Sequence, residues 1–149
     1  MPHEPEPRVS VIIPHYEDHK NLDLCLAALV AQTYAGSFEI VVADNGSPSG
    51  EAQLAATIAG RARIVSVSER GAGSARNGGV AVCRGDILAF TDSDCLPAPN
   101  WLGEGVAALQ TFDVVGGQVA VSTADRLHVS SVEAFEIVFA FDNKSYVEK

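Results

Sequence analysis

Residues 86–97 read Asp86-Ile87-Leu88-Ala89-Phe90-Thr91-Asp92-Ser93-Asp94-Cys95-Leu96-Pro97. A short apolar run, Ile87 to Phe90, ends in two carboxylates one residue apart. Side chains at i and i+2 of an extended chain point the same way, so the pattern predicts a buried strand that carries Asp92 and Asp94 at its carboxyl end. Two neighbouring carboxylates repel each other unless a cation lies between them, which favours a divalent metal with oxygen ligands. A capped turn before the next helix is the alternative, because aspartate is common in turns.

The composition predicts one soluble domain. The chain has 149 residues, of which 47% are hydrophobic and 19% charged, and no apolar run approaches the roughly 20 residues that cross a bilayer. The net charge of −9 argues against a nucleic-acid or anionic-membrane surface. An anionic ligand would therefore need a metal, a helix N-terminus or an arginine beside it. Residues 1–8 are proline-rich and polar, and we expect a disordered lead-in there.

The cysteines indicate neither a zinc site nor a disulfide framework. Cys25, Cys83 and Cys95 are odd in number, far apart and without a C-x-x-C pair. We expect Cys25 and Cys83 to be core residues in a reducing compartment, with the cytoplasm as the expected location.

Apolar, β-rich runs alternate with helical patterns along the chain. Pro14 should end the first strand, because it has no N–H for a ladder. Asn45-Gly46 is a hairpin signal, but the helical periodicity that follows favours a βαβ crossover. Ser74 is the predicted N-cap of the third helix. In all, the sequence predicts strands over 9–14, 38–43, 63–67, 86–91 and 113–121, and helices over 22–30, 51–59, 75–82, 97–110 and 130–141.

This alternation predicts an α/β fold, a doubly wound and mostly parallel sheet with helices on both faces. Ligands of such sheets bind at the carboxyl ends of the strands. We expect this domain to span 9–121. After it the pattern weakens and no closing element follows, so 122–149 is interpreted as the start of a further region in a longer protein. The loops at the predicted carboxyl ends, which hold nearly all the notable polar residues, are 15–18, 44–47, 70–77 and 92–94.

The loop Gly71-x-Gly73-x-x-Arg76 resembles a dinucleotide fingerprint without its last glycine. It follows the third predicted strand and not the first, so dinucleotide binding is disfavoured. A glycine loop with Arg76 on the first helical turn suits a phosphate or a nucleoside edge. Pairing of Arg76 with a surface acid is the alternative.

The first two loops allow two interpretations each. Asp44 and Asn45 could hydrogen-bond a heterocycle or ribose, or could satisfy their own turn. Tyr16 could stack on a base or pack as a partly exposed aromatic residue. His15 and His19 flank this loop without a third ligand spaced for zinc, and we interpret them as bystanders.

Four motifs occur in a fixed order and together resemble family 2 glycosyltransferases of the GT-A fold, inverting enzymes that use nucleotide-diphosphate sugars. The likeness covers about residues 9 to 121. The motifs are Val11-Ile12-Ile13-Pro14-His15-Tyr16-Glu17, Val41-Val42-Ala43-Asp44-Asn45-Gly46-Ser47, Ala75-Arg76-Asn77-x-Gly79 and Phe90-x-Asp92-Ser93-Asp94-x-x-Pro97.

The resemblance implies a role for each site residue. Arg76 would reach the nucleotide, Asp92 the ribose or metal, and Asp94 the Mg²⁺ or Mn²⁺ on the diphosphate, where the metal neutralises the departing group. The family often has two aspartates where this chain has Asp44-Asn45, so UDP, dTDP and GDP sugars are all open as donors. The residues that would line the nucleoside pocket are Pro14, Tyr16, Glu17, Asp44 and Asn45.

The resemblance also implies a general base well beyond the Asp-x-Asp motif, and no matching motif is found. Glu133, Glu136 and Asp142 are acids in that region, interpreted as solvated surface charge. The expected activity is metal-assisted hexosyl transfer to an unassigned acceptor, with a saccharide and a lipid-linked carrier both open. A domain that binds donor or metal without turnover is the first alternative. A sugar nucleotidyltransferase is the second, but it would want a basic, glycine-rich loop after the first strand.

Overall fold

The computed structural model describes residues 8–121, and within that range four strands alternate with four helices. No helix in this part of the chain is long and apolar enough to span a membrane. In chain order the elements are β1 (Val9–His15), α1 (His19–Val30), β2 (Phe38–Asp44), α2 (Gly50–Ile58), β3 (Arg63–Ser66), α3 (Ala72–Val82), β4 (Ile87–Phe90) and α4 (Trp101–Ala108).

The strands form one parallel sheet in the order β3-β2-β1-β4. Val9 of β1 is in register with Phe38 of β2 and with Ile87 of β4. All four carboxyl ends therefore lie at the same edge of the sheet. The predicted α/β class is confirmed, and β2 and β3 are joined by a crossover through α2 instead of a hairpin.

Helices cover both faces of the sheet because β1 is apolar on both. Val11 and Ile13 point to one face and are fully buried in the core with Leu26 of α1. Ile12 points to the other face and meets α3 at Gly79, where an added Cβ would lie 2.5 Å from Ile12 Cγ2. The glycine allows α3 to approach the sheet closely.

β1 runs one residue further than predicted, through Pro14 to His15. The carbonyl oxygen of Ile12 accepts a bond from Thr91 on the β4 side, and that of His15 accepts one from Asn45 on the β2 side. Backbone groups alternate sides along a strand, so Pro14 turns its missing N–H toward β4. The pairing with β4 has already ended at Ile12, so Pro14 interrupts no ladder bond.

The four helices of the described residues all begin within four residues of their predicted starts, and the shifts of α3 and α4 have an evident cause. α3 starts at Ala72, and Gly71, with φ of 122°, occupies the N-cap position, which leaves Ser74 inside the first turn. Only glycine adopts that backbone conformation without strain. α4 starts at Trp101, after Pro99, because a residue before proline is disfavoured in the helical conformation.

The predicted fifth strand over 113–121 is wrong: the structure has no strand there. Val114 is 85% exposed, and Gly116-Gly117 interrupts the apolar run, which weakens strand pairing. The chain divides into two compact units, Met1–Val106 and Ala107–Lys149, and β1 to β4 with α1 to α3 belong to the first. The predicted lead-in up to residue 7, the helix over 130–141 and the region 122–149 lie outside the described residues.

Candidate functional site

A cavity of about 330 Å³ lies at the carboxyl edge of the sheet. The tips of β1, β2 and β4 and the first turns of α3 surround it, as the polarity of a parallel sheet requires. Its lining residues are Pro14, His15, Tyr16, Asp18, Asn45, Ala72, Ala75, Arg76, Asp92, Ser93 and Asp94.

The two carboxylates after β4 differ in their partners. Asp92 Oδ1 accepts a hydrogen bond from Arg76 Nη2 at 2.5 Å, and the Asp92 side chain is 49% exposed. Asp94 is exposed and, among residues 8–121, forms no salt bridge. Arg76 thus pairs with an acid, as the second interpretation expected. That acid, Asp92, lines the cavity, as Arg76 itself does.

The turn that presents this pair is fixed by backbone bonds. The carbonyl oxygen of Asp92 accepts the Cys95 N–H at 3.0 Å and the Cys25 thiol at 3.6 Å. Burial raises the pKa of Cys25 to about 12, so its thiol keeps its proton and donates at neutral pH. Cys25 is a core residue, as predicted, and its thiol also holds the Asp-x-Asp turn in place.

The donor set fits a metal that is shared with a bound anion. Within residues 8–121 no group of three or more His, Cys, Asp or Glu side chains could hold a metal by itself. Asp92 and Asp94 supply carboxylate oxygens, which Mg²⁺ and Mn²⁺ prefer. Mg²⁺ is usually held by one or two carboxylates together with substrate phosphates and water.

Glu17 turns away from the cavity. Its backbone, with φ of 52°, donates an N–H to Ser47 Oγ at 2.9 Å, and its Oε1 accepts the Ser49 N–H at 2.7 Å. The hydrogen bonds with Ser49 lower the pKa of the Glu17 carboxyl. Glu17 therefore joins the tip of β1 to the start of α2 and is absent from the cavity lining.

The Asp44 side chain likewise forms hydrogen bonds within the protein and does not line the cavity. Its Oδ1 accepts bonds from His15 Nδ1 at 3.0 Å and Ser47 Oγ at 2.5 Å, and its Oδ2 accepts the Ser47 N–H at 3.0 Å. Burial alone would raise the pKa of Asp44, but the hydrogen bonds from Ser47 and His15 outweigh it and lower that pKa below its ordinary value. The spacing Asp44-x-x-Ser47 is a turn pattern that could have indicated this role.

His15 is no bystander, contrary to our expectation. Its side chain is fully buried, and it faces Asp44, the residue in register with it on β2. A carboxylate only accepts, so His15 Nδ1 carries the proton of this bond. No local signal in the sequence identified the pair, because it depends on the register of β1 against β2.

The side chain of Asn45 lines the cavity and also holds the loop before α3. Its Nδ2 donates to the carbonyl oxygens of Val67 at 3.1 Å and Glu69 at 2.6 Å, and its Oδ1 accepts the Gly71 N–H at 2.7 Å. Tyr16, by contrast, is 53% exposed at the cavity. The structure thus brings together six of the eight predicted site residues, Pro14, Tyr16, Asn45, Arg76, Asp92 and Asp94.

Fold and site define an α/β protein whose carboxylate pair and arginine line a cavity at the carboxyl edge of a parallel sheet. The model of the family "Glycosyl transferase family 2" matches residues 10–147. The chain belongs to this family.

Three relatives show how far the likeness reaches. Glycosyltransferase AglE of Haloferax volcanii is 39% identical over 120 residues, which are 76% of this chain and 40% of AglE. The mannosyltransferase PcManGT of Pyrobaculum calidifontis, solved with GDP-Man and Mn²⁺, is 32% identical with a TM-score of 0.61, over 79% of this chain and 36% of that chain. Glucosyl-3-phosphoglycerate synthase of Mycobacterium tuberculosis, solved with Mn²⁺, UDP and glucosyl-3-phosphoglycerate, is 26% identical with a TM-score of 0.58, over 72% of this chain and 40% of that chain.

Proposed function

We propose that this chain binds the donor in an inverting, metal-assisted hexosyl transfer from a nucleotide-diphosphate sugar. The observation that carries the proposal is the cavity at the sheet edge, which Asp92, Asp94 and Arg76 line together with residues at the tips of β1 and β2. A cation site beside a pocket with an exposed aromatic ring suits a ligand with a diphosphate at one end and a heterocycle at the other. PcManGT with GDP-Man and Mn²⁺, at 32% identity, supports this class of donor.

The charged residues of the cavity would bind the diphosphate end of the donor, each in a different way. Asp94 and Asp92 would hold Mg²⁺ or Mn²⁺, which when bound neutralises the departing diphosphate. Arg76 reaches Asp92 at 2.5 Å and can turn its remaining N–H groups to a phosphate or to the nucleotide. With a net charge of −9, the chain needs these local cations to attract an anionic donor.

Residues at the tips of β1 and β2 would bind the nucleoside end of the donor. Tyr16 offers an exposed ring on which a base can stack, with Pro14 and Asn45 beside it on the cavity wall. Glu17 and Asp44 would contribute indirectly, by fixing the backbone on either side of these residues.

The acceptor and the general base are unassigned. Among the described residues, the acids that line the cavity are Asp18, Asp92 and Asp94, and the last two are given to the metal. Glu133, Glu136 and Asp142 lie outside the described residues. Because the chain spans 40% or less of the length of the relatives compared above, we assign it the donor side of the reaction.

Calorimetric titration of UDP, dTDP and GDP, each with and without Mn²⁺, tests the proposal. At least one nucleotide should bind, and omission of Mn²⁺ should weaken its binding about tenfold or more. Asp94→Asn should remove this dependence on Mn²⁺ while the fold stays intact, because the side chain is exposed. Asp86→Asn, the same change at an exposed residue before β4, is the matched control. Absence of Mn²⁺-dependent binding for all three nucleotides would refute the assignment.

A further inference from the structure

We infer that Asn45 is a positioning residue, whose amide locks residues 67–71 so that α3 presents Arg76 to the Asp92–Asp94 pair. The inference rests on the proposed donor binding for its functional consequence. Its structural part, the lock itself, stands on hydrogen bonds that need no ligand.

The lock uses both ends of one amide. Asn45 Nδ2 donates both hydrogens, to Val67 O at 3.1 Å and Glu69 O at 2.6 Å, while Oδ1 accepts the Gly71 N–H at 2.7 Å. The opposite orientation of the amide would set Oδ1 against two carbonyl oxygens and Nδ2 against an N–H. The surrounding groups therefore determine the orientation. The nitrogen has no hydrogen left for a nucleobase.

The locked loop determines where α3 begins. β3 ends at Ser66, and Val67 adds one more bond to the sheet through its N–H to Asp44 O at 2.8 Å. Beyond Val67 the chain is exposed up to Gly71, whose carbonyl oxygen accepts the Ala75 N–H at 3.0 Å and so starts the helix. Arg76 is the residue directly after Ala75. Because the bond from Ala75 ties the first turn of α3 to Gly71, fixing Gly71 also fixes the position from which the Arg76 side chain extends.

The lock requires an amide and not a carboxylate. Aspartate has nearly the same shape as asparagine but accepts only, so it would face Val67 O and Glu69 O without a hydrogen to offer. Two attractions would become repulsions, and only the bond from Gly71 would remain. Asn45→Asp should therefore disturb the loop more than Asn45→Ala, which removes the bonds without adding repulsion.

The test measures the lock and its consequence separately in the 149-residue chain. Amide hydrogen exchange by NMR reports the Gly71 N–H, and calorimetry reports the Kd of UDP, dTDP and GDP with Mn²⁺. Both Asn45 variants should speed exchange at Gly71 by about tenfold or more and weaken the tightest-binding nucleotide about fivefold to tenfold, with Asn45→Asp the worse. Asn100→Asp, the same amide-to-acid change at an exposed residue away from the cavity, should alter neither. Circular dichroism confirms that each variant is folded.

A double-mutant cycle with Arg76→Ala separates positioning from direct contact. If Asn45 acts through Arg76, Asn45→Ala should weaken the nucleotide by less than about twofold once Arg76 is alanine. An unchanged penalty in that background would overturn the inference, and so would unchanged exchange at Gly71 in both Asn45 variants. Absence of Mn²⁺-dependent binding of UDP, dTDP and GDP alike by the wild-type chain would instead refute the proposed function, while the exchange at Gly71 would still decide whether the lock exists.

Discussion

The His15 imidazole and the Asp44 carboxylate form a polar pair between the tips of two adjacent strands. The His15 side chain is fully buried and that of Asp44 is 13% exposed, so neither group keeps much contact with water. An intact pair of this kind contributes little net stability. Removal of one member is costly, because the other loses a bond that water cannot replace.

His15→Leu should therefore lower the free energy of unfolding by about 1–3 kcal/mol, since Asp44 Oδ1 loses a buried donor. His15→Asn should lose less, because its amide can place an N–H near the position of Nδ1 and keep the bond to Asp44. Urea denaturation of both variants at pH 7 measures the difference. Equal losses would mean that the ring is needed for its volume alone.

At this scale the sequence located the cavity residues but not the direction of every side chain. Asp92 and Asp94 follow an apolar strand, and that position alone brings them to the carboxyl edge. Asp44 has the same kind of position, yet the hydroxyl of Ser47 three residues later turns it inward. The pairing with His15 could not be predicted, because the register of two strands is a property of the folded sheet.

At the scale of elements, the contact between α3 and β1 depends on Gly79. A methyl group there would lie 2.5 Å from Ile12 Cγ2 inside the core. Gly79→Ala should destabilise the protein by about 1–3 kcal/mol through overpacking. Gly73→Ala is the matched control in the same helix, because nothing lies within 4 Å of its added Cβ, and it should stabilise by about 0.5–1 kcal/mol through helix propensity. Thermal unfolding of both variants would test this, and a Gly79→Ala protein as stable as Gly73→Ala would contradict it.

The opposite edge of the sheet is held by Glu39, which joins three strands. Its Oε1 accepts bonds from Ser10 Oγ at 2.7 Å and the Arg84 N–H at 2.6 Å, and its Oε2 accepts Arg63 Nη2 at 2.7 Å. Burial alone would raise the pKa of Glu39, but the bonds from Ser10, Arg84 and Arg63 outweigh it and lower the pKa below its ordinary 4.5.

A lowered pKa in the folded state means that the unfolded chain binds a proton first as the pH falls. The stabilisation from Glu39 is therefore complete above its ordinary pKa of 4.5 and is lost as the pH falls through the folded pKa. Glu39→Gln should lower the free energy of unfolding at pH 7 by about 1–3 kcal/mol and flatten its decline in acid. Denaturant unfolding from pH 7 down to about pH 3 measures both. Glu104→Gln, at an exposed residue of α4, should leave the wild-type pH profile unchanged.

Elements were predictable where a local pattern decides them. The strand and helix order follows from apolar periodicity, and β1 to β4 lie within one or two residues of their predicted limits. The prediction that β1 ends at Pro14 was one residue short, because the missing N–H of Pro14 faces β4, where the pairing has already stopped. The start of α3 depends on the φ of Gly71, and residues 113–121 show that an apolar run forms a strand only where the fold offers it a partner.

For the whole molecule, the net charge of −9 opposes the binding of the proposed anionic donor, so positive charge is needed at the cavity. Arg76 already neutralises Asp92, and a divalent ion at Asp94 would add the remaining positive charge that a diphosphate needs. Cation and nucleotide should therefore bind cooperatively, since each lowers the electrostatic cost of the other.

This cooperativity should appear as linkage to global stability. A ligand that binds only the folded state at 100 times its Kd adds about 2.7 kcal/mol, which for a chain of this size raises Tm by roughly 5–10 °C. We expect such a shift when Mn²⁺ and the preferred nucleotide are added together, and a clearly smaller one for either alone. Differential scanning calorimetry of the wild-type chain, with Asp86→Asn as control, measures the shifts. In Asp94→Asn the nucleotide should give the same small shift with or without Mn²⁺. If Mn²⁺ and nucleotide raise Tm in a simply additive way in the wild-type chain, the ion and the diphosphate do not share a site.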